Sequence, residues 1–287
     1  MANNKRVAVF FNPFATNIHS ITNQIKALEL LNKHNINYHI ISNKENVLHN
    51  LSEFDECLII GGDGTINKFI NQYKDISIPI SVITAGTGND FARLLLGDKS
   101  IKEQFQIFLN GKLIKVNIGN CNDIRFINGV GIGFDGKVVE KMSVGSKYIS
   151  GKLAYYMHVI PLVFTYKEPQ ITITIDGKKY IENILMLTVA NGKYFGGGFI
   201  LTPHANFNDN LFDVLTIKKV SLLKRIFNLS KIEKGKHLHL PFVKYNQTSD
   251  EILIHSDTEL PAHIDGEFYR NKNFKIKFIE NTITFKC

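Results

Sequence analysis

The sequence predicts an N-terminal α/β domain over residues 1–116 and a C-terminal antiparallel β-sandwich over 117–287, with the last strands able to pack back on the first domain. Three observations carry this expectation. Strand and helix signals alternate through the first third. Two consecutive strands there end in glycine-rich turns. After about Lys115 the pattern shifts to strands at short intervals, one of them alternating with period two.

In chain order, residues 7–11 are a β-branched and aromatic run stopped by Asn12-Pro13. Ile21, Ile25, Leu28 and Leu31 recur at helical spacing, and residues 38–41 read as a second strand. A third strand, 57–60, runs into Gly61-Gly62-Asp63-Gly64-Thr65; Ile66, Phe69, Ile70 and Tyr73 then form the apolar face of a helix. A fourth, 80–84, runs into Ala85-Gly86-Thr87-Gly88-Asn89-Asp90. Strands alternating with helices build a parallel sheet covered on its faces. Farther on, residues 171–175 alternate strictly and meet Asp176-Gly177, a hairpin signal. Strands follow at 184–190, 211–217, 251–255, 274–279 and 282–286, interrupted by helical patches at 152–164 and 220–232.

The 287 residues are 44% hydrophobic and 21% charged, which supplies a core and excludes global disorder. No uninterrupted apolar run approaches the roughly 18–20 residues of a membrane span. The nearest, 154–164, contains His158 and Pro161. The first residues carry no signal-peptide pattern, and Cys57, Cys121 and Cys287 form neither a disulfide framework nor a CxxC knuckle. A cytoplasmic chain is expected. The formal charge is +8, and eight basic residues between Lys218 and Lys244 face a single acid, Glu233. Leu222, Leu223, Ile226, Phe227 and Leu229 fall on one face of a helix in that stretch. A positive field of this kind suits an anionic membrane surface. The same pattern suits a helix that covers a sheet with its apolar face and turns its lysines outward. No nucleic acid is expected as partner, because aromatic residues are not interleaved with the basic stretch.

Glycine turns at the carboxyl ends of strands are where an open α/β sheet binds ligands. The glycines at 61–64 let the backbone approach a phosphate, and the helix that follows offers it N–H groups. No Gly-Lys-Ser/Thr follows, so this is not a Walker A loop. Asp63 would repel a bare phosphate, so its place in the turn implies an intervening Mg2+ and hence a Mg-nucleotide. Gly131-Ile132-Gly133-Phe134-Asp135-Gly136 also fits GxGxxG, but it sits in the antiparallel part, where its glycines read as bulge and turn positions. His237 and His239 alternate on an expected strand, with His255 and His263 later; none has the spacing of a zinc site.

Together, Gly61–Asn67 (GGDGTIN) and Ala85–Arg93 (AGTGNDFAR) resemble the diacylglycerol kinase catalytic family, which includes bacterial lipid kinases, sphingosine kinases and ceramide kinase. Asn12-Pro13, NGVGIGFDG (128–136), FGGGFILTPHANFNDNLFDV (195–214) and HIDGEF (263–268) extend the resemblance over nearly the whole chain. GGDGT is shared with the NAD kinases; the second block and Asp265-Gly266-Glu267 favour the lipid-kinase branch.

The resemblance implies two domains with ATP in the cleft between them and phosphoryl transfer to a lipid hydroxyl, most simply diacylglycerol to phosphatidic acid. By the same carry-over, Asn12, Pro13, Phe14, Ala15, Thr16, Ser42, Gly61, Gly62, Asp63, Gly64, Thr65, Ile66, Asn67 and Thr87 surround ATP. Asp63 and Asp90 organise Mg2+ and the polyphosphate, and Arg93 and Lys147 stabilise the transferred phosphate. Glu267 matches the general base. Asp209, with the carbonyls of Asn206 and Leu211, matches a second, structural Mg2+ site. The resemblance also implies peripheral contact with the inner membrane face, and homodimers occur in the family. Four places depart from its pattern: Phe14-Ala15-Thr16 stand where small or Ser/Gly residues usually follow Asn-Pro, Lys68 stands for a common Glu, Asn117 for the Asp of Asp-x-Gly, and Asn210 for a glycine. An NAD kinase-like phosphotransferase and a catalytically silent lipid or nucleotide sensor are the competing expectations.

Overall fold

The computed structural model describes residues 5–13, 17–41, 49–144, 152–279 and 282–287. Two compact units divide the chain, residues 1–116 with 281–287 and residues 117–280. The elements up to residue 116 are β1 (Arg6–Phe11), α1 (Ile18–Lys33), β2 (Asn37–Ile40), β3 (Glu56–Gly61), α2 (Asp63–Gln72), β4 (Ile80–Thr84), α3 (Asp90–Leu96), α4 (Ile101–Asn110) and β5 (Leu113–Val116). Then come β6 (Gly119–Cys121), β7 (Ile124–Phe126), β8 (Gly129–Gly133), α5 (Phe134–Val144), α6 (Lys152–Thr165), β9 (Gln170–Ile175) and β10 (Lys178–Ala190). The remainder is β11 (Tyr194–Phe195), β12 (Phe199–Ile200), β13 (Phe212–Lys218), α7 (Leu222–Glu233), β14 (Val243–Thr248), β15 (Ile252–Ile264), β16 (Glu267–Phe278) and β17 (Ile283–Lys286). Among the described residues no helix is long and apolar enough to cross a membrane.

The first unit is a six-stranded sheet in the order β2-β1-β3-β4-β17-β5. Every neighbouring pair is parallel except β17 with β5. Alternation along the strands splits the core into two layers. Val7, Val9, Leu58 and Ile60 pack with Ala27 and Leu31 of α1 and Phe105 and Phe108 of α4. Phe10 lies against Phe69 of α2, ring centroids 5.1 Å apart, and Phe285 of β17 lies against Phe91 of α3 at 5.3 Å. The last strand in sequence is therefore an interior strand of this sheet. A buried ion pair fixes it there: Lys286 bonds Glu56 of β3, and its Nζ also donates to the Phe108 carbonyl at 2.6 Å.

The second unit is a nine-stranded sheet ordered β14-β13-β10-β8-β15-β16-β6-β7, with β9 pairing both β10 and β15. One face encloses a core that includes Val130, Ile132, Ile173, Leu187, Val189, Phe212 and Ile254. A second cluster joins β10 and β13 to the helices through Phe134, Val138, Val159, Val163, Leu185, Met186 and Leu215. A register shift between Ile184 and Met186 turns both Leu185 and Met186 toward the helices. Asp176-Gly177 and Asp265-Gly266 make the hairpins β9–β10 and β15–β16, with φ of 51° and 68°, and 48° and 84°. Both residues of each turn are left-handed, the backbone that a two-residue hairpin loop requires.

Three expectations need correction. Gly131 lies within strand β8 and Gly136 in the first turn of α5, rather than at bulges and turns; Gly133, at φ 96°, does stand where β8 turns into α5. Closeness explains Gly131 and Gly136: a Cβ on Gly131 would stand 2.3 Å from His263 Nε2, and one on Gly136 2.3 Å from the Ala262 backbone. His237 and His239 lie in the turn between α7 and β14, not on a strand; His237 is buried, its Nε2 3.0 Å from the Leu201 carbonyl. The apolar residues expected on one face of α7 divide between two. Leu229 turns inward, whereas Leu222, Leu223, Ile226 and Phe227 are exposed.

Candidate active site

In the first unit, β3 and β4 set Gly61 beside Thr84, and the Ala85 N–H bonds the Gly61 carbonyl at 3.0 Å. The two glycine turns therefore leave the sheet side by side. Gly62 and Gly86 then meet backbone to backbone. A Cβ on Gly86 would fall 2.4 Å from the Gly62 Cα, and one on Gly62 2.8 Å from the Gly86 Cα. No side chain fits at either place. Helix α2 begins at Asp63, so Asp63-Gly64-Thr65 is its first turn, and among the described residues no side chain caps it.

The Asp63 carboxylate reaches across to the second loop. Its Oδ2 accepts the Asp90 N–H at 2.7 Å and its Oδ1 the Phe91 N–H at 3.0 Å, which caps α3. Asn89, at φ 53°, returns its side-chain N–H to the Gly86 carbonyl at 2.9 Å. The structure thus brings Gly61, Gly62, Asp63, Asp90 and the turn carrying Thr87 into one locked pair of loops. Ile66 and Asn67 are buried on α2, and the exposed Gly64 and Thr87 form the solvent side. Arg93 lies one turn into α3, its Nε 3.2 Å from Asp98. Asn12 follows β1 and is exposed, its carbonyl accepting from Gln24 at 3.2 Å, with Pro13 next in a turn. Phe14, Ala15, Thr16, Ser42 and Lys147 lie outside the described residues.

In the second unit, Glu267 is the first residue of β16 and is exposed, directly after the Asp265-Gly266 turn. Its neighbour Asp265 has a different task that the sequence did not reveal. Buried, Asp265 accepts the Ile127 N–H at 2.8 Å and the Asn128 and Gly129 N–H groups at 2.9 Å each. Below it, His263 Nε2 sits 2.8 Å from Asp135 Oδ2, both side chains nearly inaccessible. Burial pulls the imidazole pKa down, but the Asp135 carboxylate outweighs it and Asp265 adds to it, so the net direction is upward. The hairpin tip that presents Glu267 is thus tied to β8 and α5.

The 206–211 segment is fastened by Asn117. Its Nδ2 donates to Asn210 Oδ1 at 2.5 Å, its Oδ1 accepts the Asn210 N–H at 3.2 Å, and its backbone N–H bonds the Phe207 carbonyl at 2.7 Å. Asn210 takes a left-handed φ of 60°. Asp209 is partly buried and accepts the Leu211 N–H at 3.0 Å; Asn206 is exposed. Asp213, fully buried, accepts from Tyr245 and Gln247, while its Oδ2 has no hydrogen-bond partner among the described residues. Burial, reinforced by the charge of Asp209, raises its carboxyl pKa. Excess negative charge among oxygen donors fits a hard cation such as magnesium. Among the described residues no group of three or more His, Cys, Asp or Glu converges, so a cation here would need carbonyl donors as well.

The family model described as the diacylglycerol kinase catalytic domain matches residues 6–121, and that described as the YegS C-terminal NAD kinase beta sandwich-like domain matches 128–283. A diacylglycerol kinase of Bacillus subtilis (strain 168) is 30% identical over 228 residues, 76% of this chain and 75% of the relative. The chain belongs to the diacylglycerol kinase family of lipid kinases. Its fold is shared with a solved diacylglycerol kinase from Bacillus anthracis str. Sterne, 21% identical with a TM-score of 0.71 over 98% of this chain and 96% of the other. The yeast NADH kinase solved with NADH has the same fold more distantly, 12% identical with a TM-score of 0.55 over 99% and 83%. This lipid-kinase family member therefore combines an α/β domain with a sandwich-like β domain.

Proposed function

We propose that this kinase transfers the γ-phosphoryl group of Mg·ATP to the free hydroxyl of diacylglycerol, giving phosphatidic acid and ADP. The observation that carries this reading is the pair of glycine loops locked by the Asp63 carboxylate. Gly61, Gly62, Gly64 and Thr65 bring backbone close to the phosphates at the uncapped start of α2, with Thr87 on the facing turn. The same reading assigns the remaining nucleotide contacts to Asn12, Pro13, Phe14, Ala15, Thr16, Ser42, Ile66 and Asn67. Asp63 and Asp90 would hold magnesium through their carboxylate oxygens, and the ion would supply positive charge against the polyphosphate. Arg93 and Lys147 place positive charge on the oxygens of the transferred group. Glu267 takes the proton of the lipid hydroxyl as its oxygen bonds to γ-phosphorus and the bond from γ-phosphorus to ADP breaks. A second, structural magnesium would be held by the 206–211 segment, through Asp209 and the carbonyls of Asn206 and Leu211.

ADP release from Mg·ATP with mixed micelles of diacylglycerol, sphingosine or phosphatidylglycerol tests the reading, with wild type beside Glu267→Ala. Turnover with diacylglycerol that the substitution abolishes is expected. Turnover with sphingosine or phosphatidylglycerol alone would overturn the acceptor, and NAD-stimulated ADP release with no lipid effect would overturn the lipid reading.

A further inference from the structure

Helices α6 and α7 run antiparallel. Tyr156 near the start of α6 donates to Glu233 at the end of α7 at 2.6 Å, and Arg225 near the start of α7 donates to the Val163 and Tyr166 carbonyls at 3.0 Å each. Each turns one face to the same buried cluster, through Val159, Leu162 and Val163 on α6 and Leu229 and Ile232 on α7. Their opposite faces are apolar too. Met157, Ile160 and Phe164 recur at helical spacing on α6, each more than half exposed. On α7, Leu223 and Phe227 are 65% and 75% exposed, with the exposed Ile226 between them. Single exposed apolar residues are ordinary; two adjacent helices with grouped ones mark an interaction surface.

Charge frames this surface. Of the basic residues nearby, Lys218 and Lys244 share Glu182, and Arg225 is paired with Glu168. Lys224 and Lys231 are exposed, two turns apart on one face, and border one side of the Leu223–Phe227 stripe; Lys219 and Lys234 lie just beyond the two helix ends. Among the described residues these four lysines enter no ion pair. An apolar stripe bordered by unpaired lysines has the chemistry of a helix lying in a membrane interface.

We infer that the α6–α7 face docks on an anionic bilayer, with Phe164, Leu223 and Phe227 entering the headgroup boundary and the lysines among the headgroups. A two-fold contact with a second copy would bring the same lysines face to face, which disfavours that occupant. The mostly aliphatic stripe offers no stacking platform to a nucleic acid. The inference deepens the proposed function by naming its partner surface, but it rests on the surface and not on the reaction.

Co-sedimentation with phosphatidylcholine vesicles, with and without phosphatidylglycerol, tests it at low and high salt. Binding is expected to require phosphatidylglycerol and to weaken with salt. The double variant Leu223→Ser, Phe227→Ser should weaken it at least about ten-fold, and Lys224→Gln or Lys231→Gln about five-fold each. Unchanged melting shows that the variants fold. A short-chain diacylglycerol dispersed in water separates the two readings. The double variant should phosphorylate it as wild type does, and vesicle binding without any turnover would sink the reaction and leave the docking standing. Wild type that ignores anionic vesicles, or a double variant that binds them as wild type does, overturns the inference. So does a wild-type dimer that the double variant dissolves, with no vesicle binding.

Discussion

Asp63 caps the helix that Asp90 begins: a carboxylate on one loop accepts, at 2.7 Å, the first N–H of the helix after the other. The residue that suits a metal by its charge is thus also a structural tie between the two glycine turns. A substitution there acts on both roles, and the two can be separated.

Asp63→Ala removes both acceptors and the charge at the start of α3, and is expected to cost about 1–2 kcal/mol of stability. Asp63→Asn keeps one acceptor and should cost less than half of that. Both should abolish turnover. Urea unfolding beside ADP release provides the check, and near-wild-type turnover in Asp63→Asn would remove the carboxylate from the nucleotide chemistry.

Asp265 and Glu267 stand two residues apart and should behave oppositely. Asp265→Ala strands three buried backbone N–H groups and is expected to destabilise by roughly 2–4 kcal/mol. Glu267→Gln changes an exposed side chain, so melting should not move while turnover falls by about 10²–10⁴-fold. Equal losses of stability at the two positions would contradict this division.

The Asp135–His263 pair makes stability depend on pH. A group whose pKa is raised by folding contributes stability that is complete below its unfolded pKa and lost as pH rises through the folded one. Wild type should therefore lose part of its stability above about pH 6.5, and Asp135→Asn should flatten that slope. Unfolding measured at several pH values on both sides decides, together with NMR titration of the His263 ring. An unaltered slope in the variant would clear the pair.

Asn117→Asp would put a carboxylate where Asn210 Oδ1 now receives an N–H. Although an acid is the commoner residue in the family's pattern, it should cost this chain about 1–2 kcal/mol. Asn210→Gly in the same chain removes the facing oxygen and should restore most of the loss. Thermal melting of the two variants is the measurement, and a neutral Asn117→Asp would show that the amide pair does not hold the segment.

Features written in short stretches were legible in the sequence. Gly62 and Gly86 announce themselves because close backbone contact admits nothing larger, and Asp176-Gly177 because its turn requires left-handed backbone at both residues. Helix α4 was missed although Ser100 and Glu103 form a complete capping box before it. The long strands β15 and β16 were seen only in part, because exposed polar positions dilute their alternation. Asp265, Asp135 and His263 stayed hidden for another reason. Their partners lie well over a hundred residues away, and no local spacing encodes that meeting. Periodicity likewise showed that α7 has an apolar stripe but could not say which face the rest of the fold would cover.

The position of β17 sets a schedule for the newborn chain. Strands β4 and β5 leave the ribosome early, yet the strand that belongs between them is synthesised only after all of residues 117–280. Until Lys286 arrives, Glu56 has no ammonium group to meet, and β4 keeps an open edge with unpaired backbone groups. The first unit therefore cannot mature co-translationally on its own, as a simple N-terminal domain would. A product cut short anywhere before residue 283 carries that open edge permanently, which makes it a substrate for chaperones and proteases rather than a working half-enzyme.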